Sequence, residues 1–418
     1  MPVVLPAVES REPRPRAPNP FVWLGLLLVL MVAGAVITLV TWPKAEPTGT
    51  VEFWLCLLGR PALTWGVLFG LRLGYFDQES ERIDAQNEVL REDRDRALQF
   101  AGEPLAAIAC AYLTAAGDKA LAAKVLQRAS VLEARIALDG REGVRHSALD
   151  LLLDKANPSR YHVCFRRLIA AMQKPVGALP LEVPFGVRLQ LPADVDRERL
   201  RQAWQDCWDE QSMRRCEAKL VPGEQGLMAL DEWLDHRGGP ALEKVLLFVA
   251  VQLHDAPPQN SAEVATAVLV GWPQMLSRRG MAQLGLLHRP VRGHRDELNM
   301  CVSTALQWGR ATNIEIGDLW QAGLEKDDKG AVNQTLSDLK LGVSSGNDLS
   351  GVHDVDLALG EPGCASGWLA LALSLEHAKK TNKPQLVAWR EGALHFAVVQ
   401  PTVRPPQPEV SAVKEVNA

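Results

Sequence analysis

What this chain lacks narrows its chemistry first. Its seven cysteines, Cys56, Cys110, Cys164, Cys207, Cys216, Cys301 and Cys364, are odd in number and scattered, with no CxxC pair. That excludes a zinc ribbon or a dithiol redox centre and leaves reduced, buried thiols, as in a reducing compartment. Basic excess is missing too: 45 Lys and Arg face 50 Asp and Glu, a net charge of −5. A nucleic-acid partner therefore has no electrostatic footprint here. The glycine-bearing stretch 360–367 lacks the Gly-Lys-Ser/Thr ending of a phosphate loop, and GCASG places its serine one position late for a G-x-S-x-G elbow. His288 and His294 stand without a ligand set at metal spacing. No catalytic, cofactor-binding or metal residue is assigned from the sequence.

What the chain does have, at 418 residues and 47% hydrophobic, is material for a large core and something besides. Phe21–Trp42 is an uncharged run that meets the roughly 20 apolar residues needed to cross a hydrocarbon core. It exceeds the ~7–15 apolar residues of a secretory signal, and no small-x-small cleavage site follows, so we read an anchor. Val51–Phe76 is apolar except for Glu52, Arg60 and Arg72. There Arg60-Pro61 either kinks a second transmembrane helix or splits an interfacial segment. Arg11, Arg14 and Arg16 before the first span and Arg72 after the second favour a hairpin with both flanks in the cytoplasm, since the loop sets Lys44 against Glu46.

The expected organisation is a cytoplasmic segment 1–20, a transmembrane hairpin 21–76, a helical neck 77–174, an α/β domain 175–404 and a flexible tail 405–418. In the neck, Asp77–Gly102 is densely charged, with Ile83, Leu90 and Ala97 seven apart. Leu105–Ala116, Lys119–Leu138 and Ser147–Lys155 read as further helices. From Leu181 strands and helices alternate, and Glu243–Leu253 has the unbroken apolar character of a buried parallel strand. In Val352–Lys380, Val355, Leu357 and Leu359 alternate as a strand does. The run breaks at Gly360, Pro362 and Gly363, and Leu369, Ala372, Leu373 and Ala378 then recur at helical spacing. Gln385–Arg390 and Ala393–Gln400 flank Glu391-Gly392 as a hairpin.

The order of these segments resembles the second half of the thiolase and β-ketoacyl synthase superfamily. It runs through a helix LNMCVSTALQWGR, a strand IEIGDLW, a helix DDKGAVNQTLSDLKLG, a strand leading to the glycine turn, the small-residue helix GCASGWLALALSLEHA and a hairpin ending in AVVQP. The likeness covers Ala178–Pro401 and is firmest from Asn299. It implies a shortened, layered thiolase-like α/β domain behind the hairpin and neck. In the ketosynthases the glycine turn carries a Gly-His pair that stabilises developing charge; the matching pair here is Gly360-Glu361, and an ionised carboxylate repels an oxyanion. LEKDDKG stands where the other family histidine belongs. No cysteine sits at the start of the helix near Leu227–Asp235, where the nucleophile belongs.

Cys364 is the remaining chemical candidate, a thiol at a helix start with Glu361 nearby and His353 one strand length before it. The bland reading is a small packing cysteine. The basic run His288–Arg295 reads as a solvated loop or a dock for an acidic partner. Trp204, Trp208, Trp233, Trp272, Trp308, Trp320, Trp368 and Trp389 read as core.

The expectation is a non-catalytic, membrane-anchored adaptor (a pseudoenzyme) at the bacterial inner membrane. It would bind protein partners, and the resemblance points to type VI secretion effectors or spike components; thiolase folds also pair as homodimers. The competing readings are a membrane-bound acyl-transfer or hydrolytic enzyme using Cys364 with Glu361, and an inner-membrane immunity protein.

Overall fold

Continuous apolar runs with β-branched residues become the central strands of this protein, because strands buried on both faces need apolar side chains in both directions. The computed structural model describes residues 15–44, 46–136, 143–152, 159–222, 225–344 and 350–402, with Val3 and Leu5. Contacts divide the chain into two compact units, one holding residues 3–99 and the other starting at Phe100.

In the second unit the strands are β1 Leu105–Leu113, β2 Glu133–Ile136, β3 Gly143–Ser147, β4 Phe185–Gln190, β5 Ala218–Leu220, β6 Val245–Gln252, β7 Ser261–Ala262, β8 Val264–Gly271, β9 Gly285–Leu287, β10 Val291–Gly293, β11 Leu319–Ala322, β12 Val352–Asp354, β13 Gln385–Glu391 and β14 Ala393–Gln400. The main sheet runs β12-β11-β13-β14-β9-β1-β8-β6-β4-β5, with β10 beside β14, and β2-β3-β7 form a small second sheet.

The main sheet repeats itself. On one side β5, β4 and β6 are parallel and β8 is antiparallel to β6. On the other β12, β11 and β13 are parallel and β14 is antiparallel to β13. The helices repeat in step: Arg160–Gly177 and Leu298–Trp308 precede β4 and β11. Arg197–Glu210 and Lys326–Asp338 follow those strands, and Ala229–Leu234 and Ser366–Thr381 precede β6 and β13. Every residue of β6 and β8 is buried, as are twelve of the sixteen residues of the Ser366–Thr381 helix. All eight expected core tryptophans are buried.

Several expectations need correction. Leu105–Ala116 is not a neck helix; its alanines favour helix intrinsically, yet they form β1 between β9 and β8, because small side chains let the Arg160–Gly177 and Ser366–Thr381 helices approach the sheet. The expected neck to residue 174 therefore gives up these residues to the α/β layer. Among the described residues of Lys119–Leu138 the helix is short, Leu121–Leu126, and β2 follows it; Ala137 and Leu138 lie outside them. Ser147 ends β3 and no helix follows it among the described residues to Leu152; the remainder of Ser147–Lys155 lies outside them. Val355–Leu359 is a helix, not a strand, since Asp354 Oδ1 accepts the N–H groups of Asp356 and Leu357 at 3.0 and 3.3 Å and so starts a turn. In NIEIGDLW the strand begins only at Leu319.

In the first unit, a helix spans Pro20–Thr41 and a second starts at Val51, with a π turn at Leu55–Gly59, and ends two residues past the unit at Ala101. Arg60-Pro61 does not split this segment. The proline cannot fill an ordinary helical ladder, and the π turn absorbs the mismatch, with Arg60 N–H reaching back to Leu55 O. A Cβ at Gly34 would lie 2.1 Å from Pro61 Cγ, so the glycine is the notch that receives the ring. Trp65 Nε1 donates to Trp23 O at 2.8 Å. Both helices are long and apolar enough to cross a membrane, with mean hydropathy 2.6 and 1.3 in their most apolar windows. Arg11, Arg14 and the tail 405–418 lie outside the described residues.

Candidate functional site

Each half of the repeat begins its last helix with a glycine-led 3-10 turn, Gly226–Met228 in the first and Gly363–Ala365 in the second. Both glycines take a positive φ, 43° and 55°. In each turn the second residue gives its N–H to a side chain from the opposite half. Leu227 N–H donates to Glu391 Oε2 at 3.2 Å, and Cys364 N–H donates to Gln252 Oε1 at 3.1 Å. These acceptors stand at the ends of β13 and β6. They also fill the space of the missing side chains: a Cβ at Gly226 would overlap the Glu391 carboxylate, and one at Gly363 would overlap the Gln252 amide.

Glu391 is further held by the Gln190 amide, which donates to Oε1, while the Trp368 indole donates to Gln190 Oε1 at 2.7 Å. Trp368 stacks on Phe248 with centroids 4.9 Å apart. Burial pushes the Glu391 pKa above its ordinary value, and the bonds from Gln190 and Leu227 work against that shift. A cavity of about 760 Å³ opens beside the Ala229–Leu234 helix, lined by Arg188, Lys219, Gln225, Glu232, Trp233 and Phe248 among others.

Cys364 does not have the environment of an activated thiol. Its Sγ donates to Val251 O at 3.5 Å, and desolvation, followed by the charges of Glu391 and Asp194, pushes its pKa far above the ordinary thiol value. A helix start lowers a thiol pKa where it faces solvent and cations; here the turn's N–H is spent on Gln252. Cys110, Cys164 and Cys207 are likewise pushed up by burial, to about 11, about 12 and about 12.

Glu361 is exposed, and its backbone splices the glycine turn onto β7: its N–H donates to Asn260 O at 2.7 Å and its O accepts from Ala262 N–H at 2.9 Å. Gly360, at φ 94°, lies so close to the Ser261 carbonyl that a Cβ would sit 2.5 Å from its oxygen. The Glu361 side chain lines a pocket of about 350 Å³ with Arg145, Glu325, Lys329 and Asp356.

The LEKDDKG segment, where the resemblance expects a histidine, supplies charges already engaged. Lys329 Nζ lies 2.7 Å from Asp354 Oδ2 and 3.1 Å from Asp356 Oδ2. Asp356 Oδ1 accepts Gly323 N–H at 2.8 Å. Burial pushes the Asp356 pKa up to about 6, opposed by Lys329 and reinforced by Asp354. Asp328 is fully buried between Arg295 and Arg390.

His353 is no partner for Cys364. Its Nε2 lies 2.8 Å from Asp318 Oδ1, and His377 Nε2 lies 3.3 Å from Asp318 Oδ2. Desolvation raises the Asp318 pKa, but the two imidazoles outweigh it and hold the carboxyl below the usual range. Sequence spacing did not expose this cluster, since its members come from three separate elements. The basic run His288–Arg295 is also corrected: His288 and Arg289 are buried, Val291–Gly293 pairs with β14, and Arg289 bridges Asp231 and Asp235 at 2.5 and 2.7 Å.

No protein-family model and no curated protein matches the chain. Solved structures do match its fold. The fold is thiolase-like. The ishigamide ketosynthase/chain length factor superposes with TM-score 0.53 at 16% identity, over 72% of this chain and 99% of that one. The module 6 ketosynthase of the bacillaene synthase from Bacillus subtilis 168 gives TM-score 0.55 at 9% identity, over 72% and 73%. Identities this low show the fold alone. The matched share exceeds what Ala178–Pro401 can supply, so the likeness extends upstream of the sequence resemblance.

Proposed function

We propose that this chain is a membrane-anchored accessory protein whose thiolase-like domain binds protein partners and performs no acyl transfer. The observation that carries the reading is the self-filled helix start. No cysteine stands at the start of the helix near Leu227–Asp235, where the resemblance would put a nucleophile, and the N–H of Leu227 there is taken by the chain's own Glu391. An oxyanion hole needs preorganised donors left free for the developing charge. The buried carboxyl group occupies that donor, and when ionised it opposes such charge directly. The raised pKa of Cys364 adds support, since a protonated, desolvated thiol is a poor nucleophile. The setting we favour is type VI effector delivery at the inner membrane, with the hairpin spanning the bilayer and the domain in the cytoplasm.

Incubation of the full chain with acyl thioesters, followed by intact-mass and peptide analysis, tests the catalytic half of this reading. We expect no selective acylation of any cysteine and no turnover, with Cys364→Ala indistinguishable from the parent. Stoichiometric labelling at Cys364 would instead favour the acyl-transfer enzyme. Site-specific crosslinking in the native host tests the partner: capture of an effector or spike component supports the delivery role, and capture of a toxin supports an immunity protein.

A further inference from the structure

The strongest unassigned feature is a compact group of nitrogen and oxygen donors in the second half of the repeat. Asp318 sits just before β11, His353 lies on β12, and His377 lies on the Ser366–Thr381 helix. One ligand atom from each falls within 4.8 Å of the other two. Donors that share an ion at about 2.0–2.2 Å stand about 3–3.5 Å apart in a tetrahedral shell. Here each imidazole already meets one oxygen of the same carboxylate, His353 Nε2 at 2.8 Å from Oδ1 and His377 Nε2 at 3.3 Å from Oδ2, so an ion would take the place of these two contacts with a small outward shift of the donors. Both histidines are buried, with residue exposures of 4% and 8%. Their rings are fixed by Trp320, whose centroid is 4.6 Å from His353 and 5.6 Å from His377. Trp320 is in turn held by its indole N–H on Gln385 Oε1 at 3.1 Å.

We propose that Asp318, His353 and His377 form a binding site for a divalent transition-metal ion of the zinc type. Two imidazoles and one carboxylate suit Zn²⁺, Co²⁺ or Fe²⁺ and not the all-oxygen shells of Ca²⁺ or Mg²⁺. Three protein ligands leave a fourth position for water. His353 also lines a pocket of about 450 Å³ with Gln321, Lys329 and Asp354.

The duplicated topology provides an internal control. Asp318 O accepts from Leu386 N–H, and in the first half Pro184 O accepts from Val245 N–H, so Pro184 is the counterpart of Asp318. By the parallel register of β4 and β5, Glu217 is the counterpart of His353. The first half's helix ends at Leu234, six residues in, and offers no counterpart of His377. The donor set is thus a property of one half and not a by-product of the repeat.

The test is Zn²⁺ titration of the detergent-solubilised full chain against a chromophoric chelator, paired with Co²⁺ absorption spectroscopy. We expect one equivalent bound per chain and tetrahedral Co²⁺ bands. His353→Asn and His377→Asn should each weaken binding by about 100-fold or more, given that even supporting residues cost about 10–100-fold. Melting of each variant without metal separates a lost ligand from a lost fold: a variant that melts as the parent does and no longer gains thermal stability from zinc supports the site. Saturation below one tenth of an equivalent in the parent overturns it, and so does binding unchanged in folded His353→Asn and His377→Asn.

Discussion

The two halves of the repeat share a chain order and differ in what they do with it. In the first half the last helix is six residues long, and in the second it is sixteen residues with twelve of them buried. Each helix start is capped from the other half, but by different chemistry: a carboxylate, Glu391, on the first and a neutral amide, Gln252, on the second. A carboxyl cap opposes incoming negative charge when ionised and occupies the donor in either state, whereas the amide merely fills space. The difference shows how a shared scaffold can close one position electrostatically and the other sterically.

The largest expected effects come from the buried ion clusters, one in each half. Asp328→Ala leaves Arg295 and Arg390 around an empty carboxylate site, and Glu263→Ala does the same to Arg160 and to the N–H groups of Leu149 and His254. Each should lose about 3–5 kcal/mol in urea unfolding. If only one loses stability, the halves do not contribute equally.

Next come the capped glycines. Gly226→Ala and Gly363→Ala should each cost about 1–3 kcal/mol, more than Gly280→Ala, whose Cβ meets open space at a similar positive φ of 63°. Gly226→Ala should be the costlier of the two, because Glu391 is pinned by Gln190 and has less freedom to yield.

A pH test applies to the second half. The folded pKa of Asp356, raised to about 6 chiefly by burial, means that the folded state holds this proton more tightly than the unfolded chain. Its stabilising contribution is complete below about pH 4 and is lost as pH rises through about 6. Asp356→Asn should remove a slope on the order of 1–3 kcal/mol between those values, measured by denaturant midpoints. Glu263 runs the other way. Burial alone would raise its pKa, but Arg160 and two backbone N–H groups hold it lowered, so its contribution is lost as pH falls through the carboxylate range.

The smallest effect is expected at Cys364→Ala, within about 1 kcal/mol, with reaction toward a maleimide at neutral pH slower than that of an exposed thiol.

Much of the fold was legible in the residues. The apolar run Val245–Gln252, the Gln385–Gln400 hairpin and the Gly363–Thr381 turn and helix all stood out, because their pattern is set by burial on known faces. β1 did not, since LAAIACAYL carries a helix former's composition and only its long-range pairing with β8 and β9 makes it a strand. Val355–Leu359 misled in the opposite direction, its alternation outweighed by one capping carboxylate on Asp354. For the site, the sequence identified the missing cysteine near Leu227 but not the carboxylate that fills the gap, 164 residues away along the chain. The cluster at Asp318 was hidden for the same reason, because its residues meet only through sheet register and helix packing.

The exchange of caps between Gly226–Met228 and Gly363–Ala365 has a consequence for how the molecule could be cut. Each half carries the key to the other's lock, so neither is a complete folding unit. A chain severed at the exposed turn around Gly280 should give two fragments that are poorly ordered alone and that reassociate as a specific heterodimer. The seam of this domain is thus a built-in recognition surface between two pieces of one polypeptide.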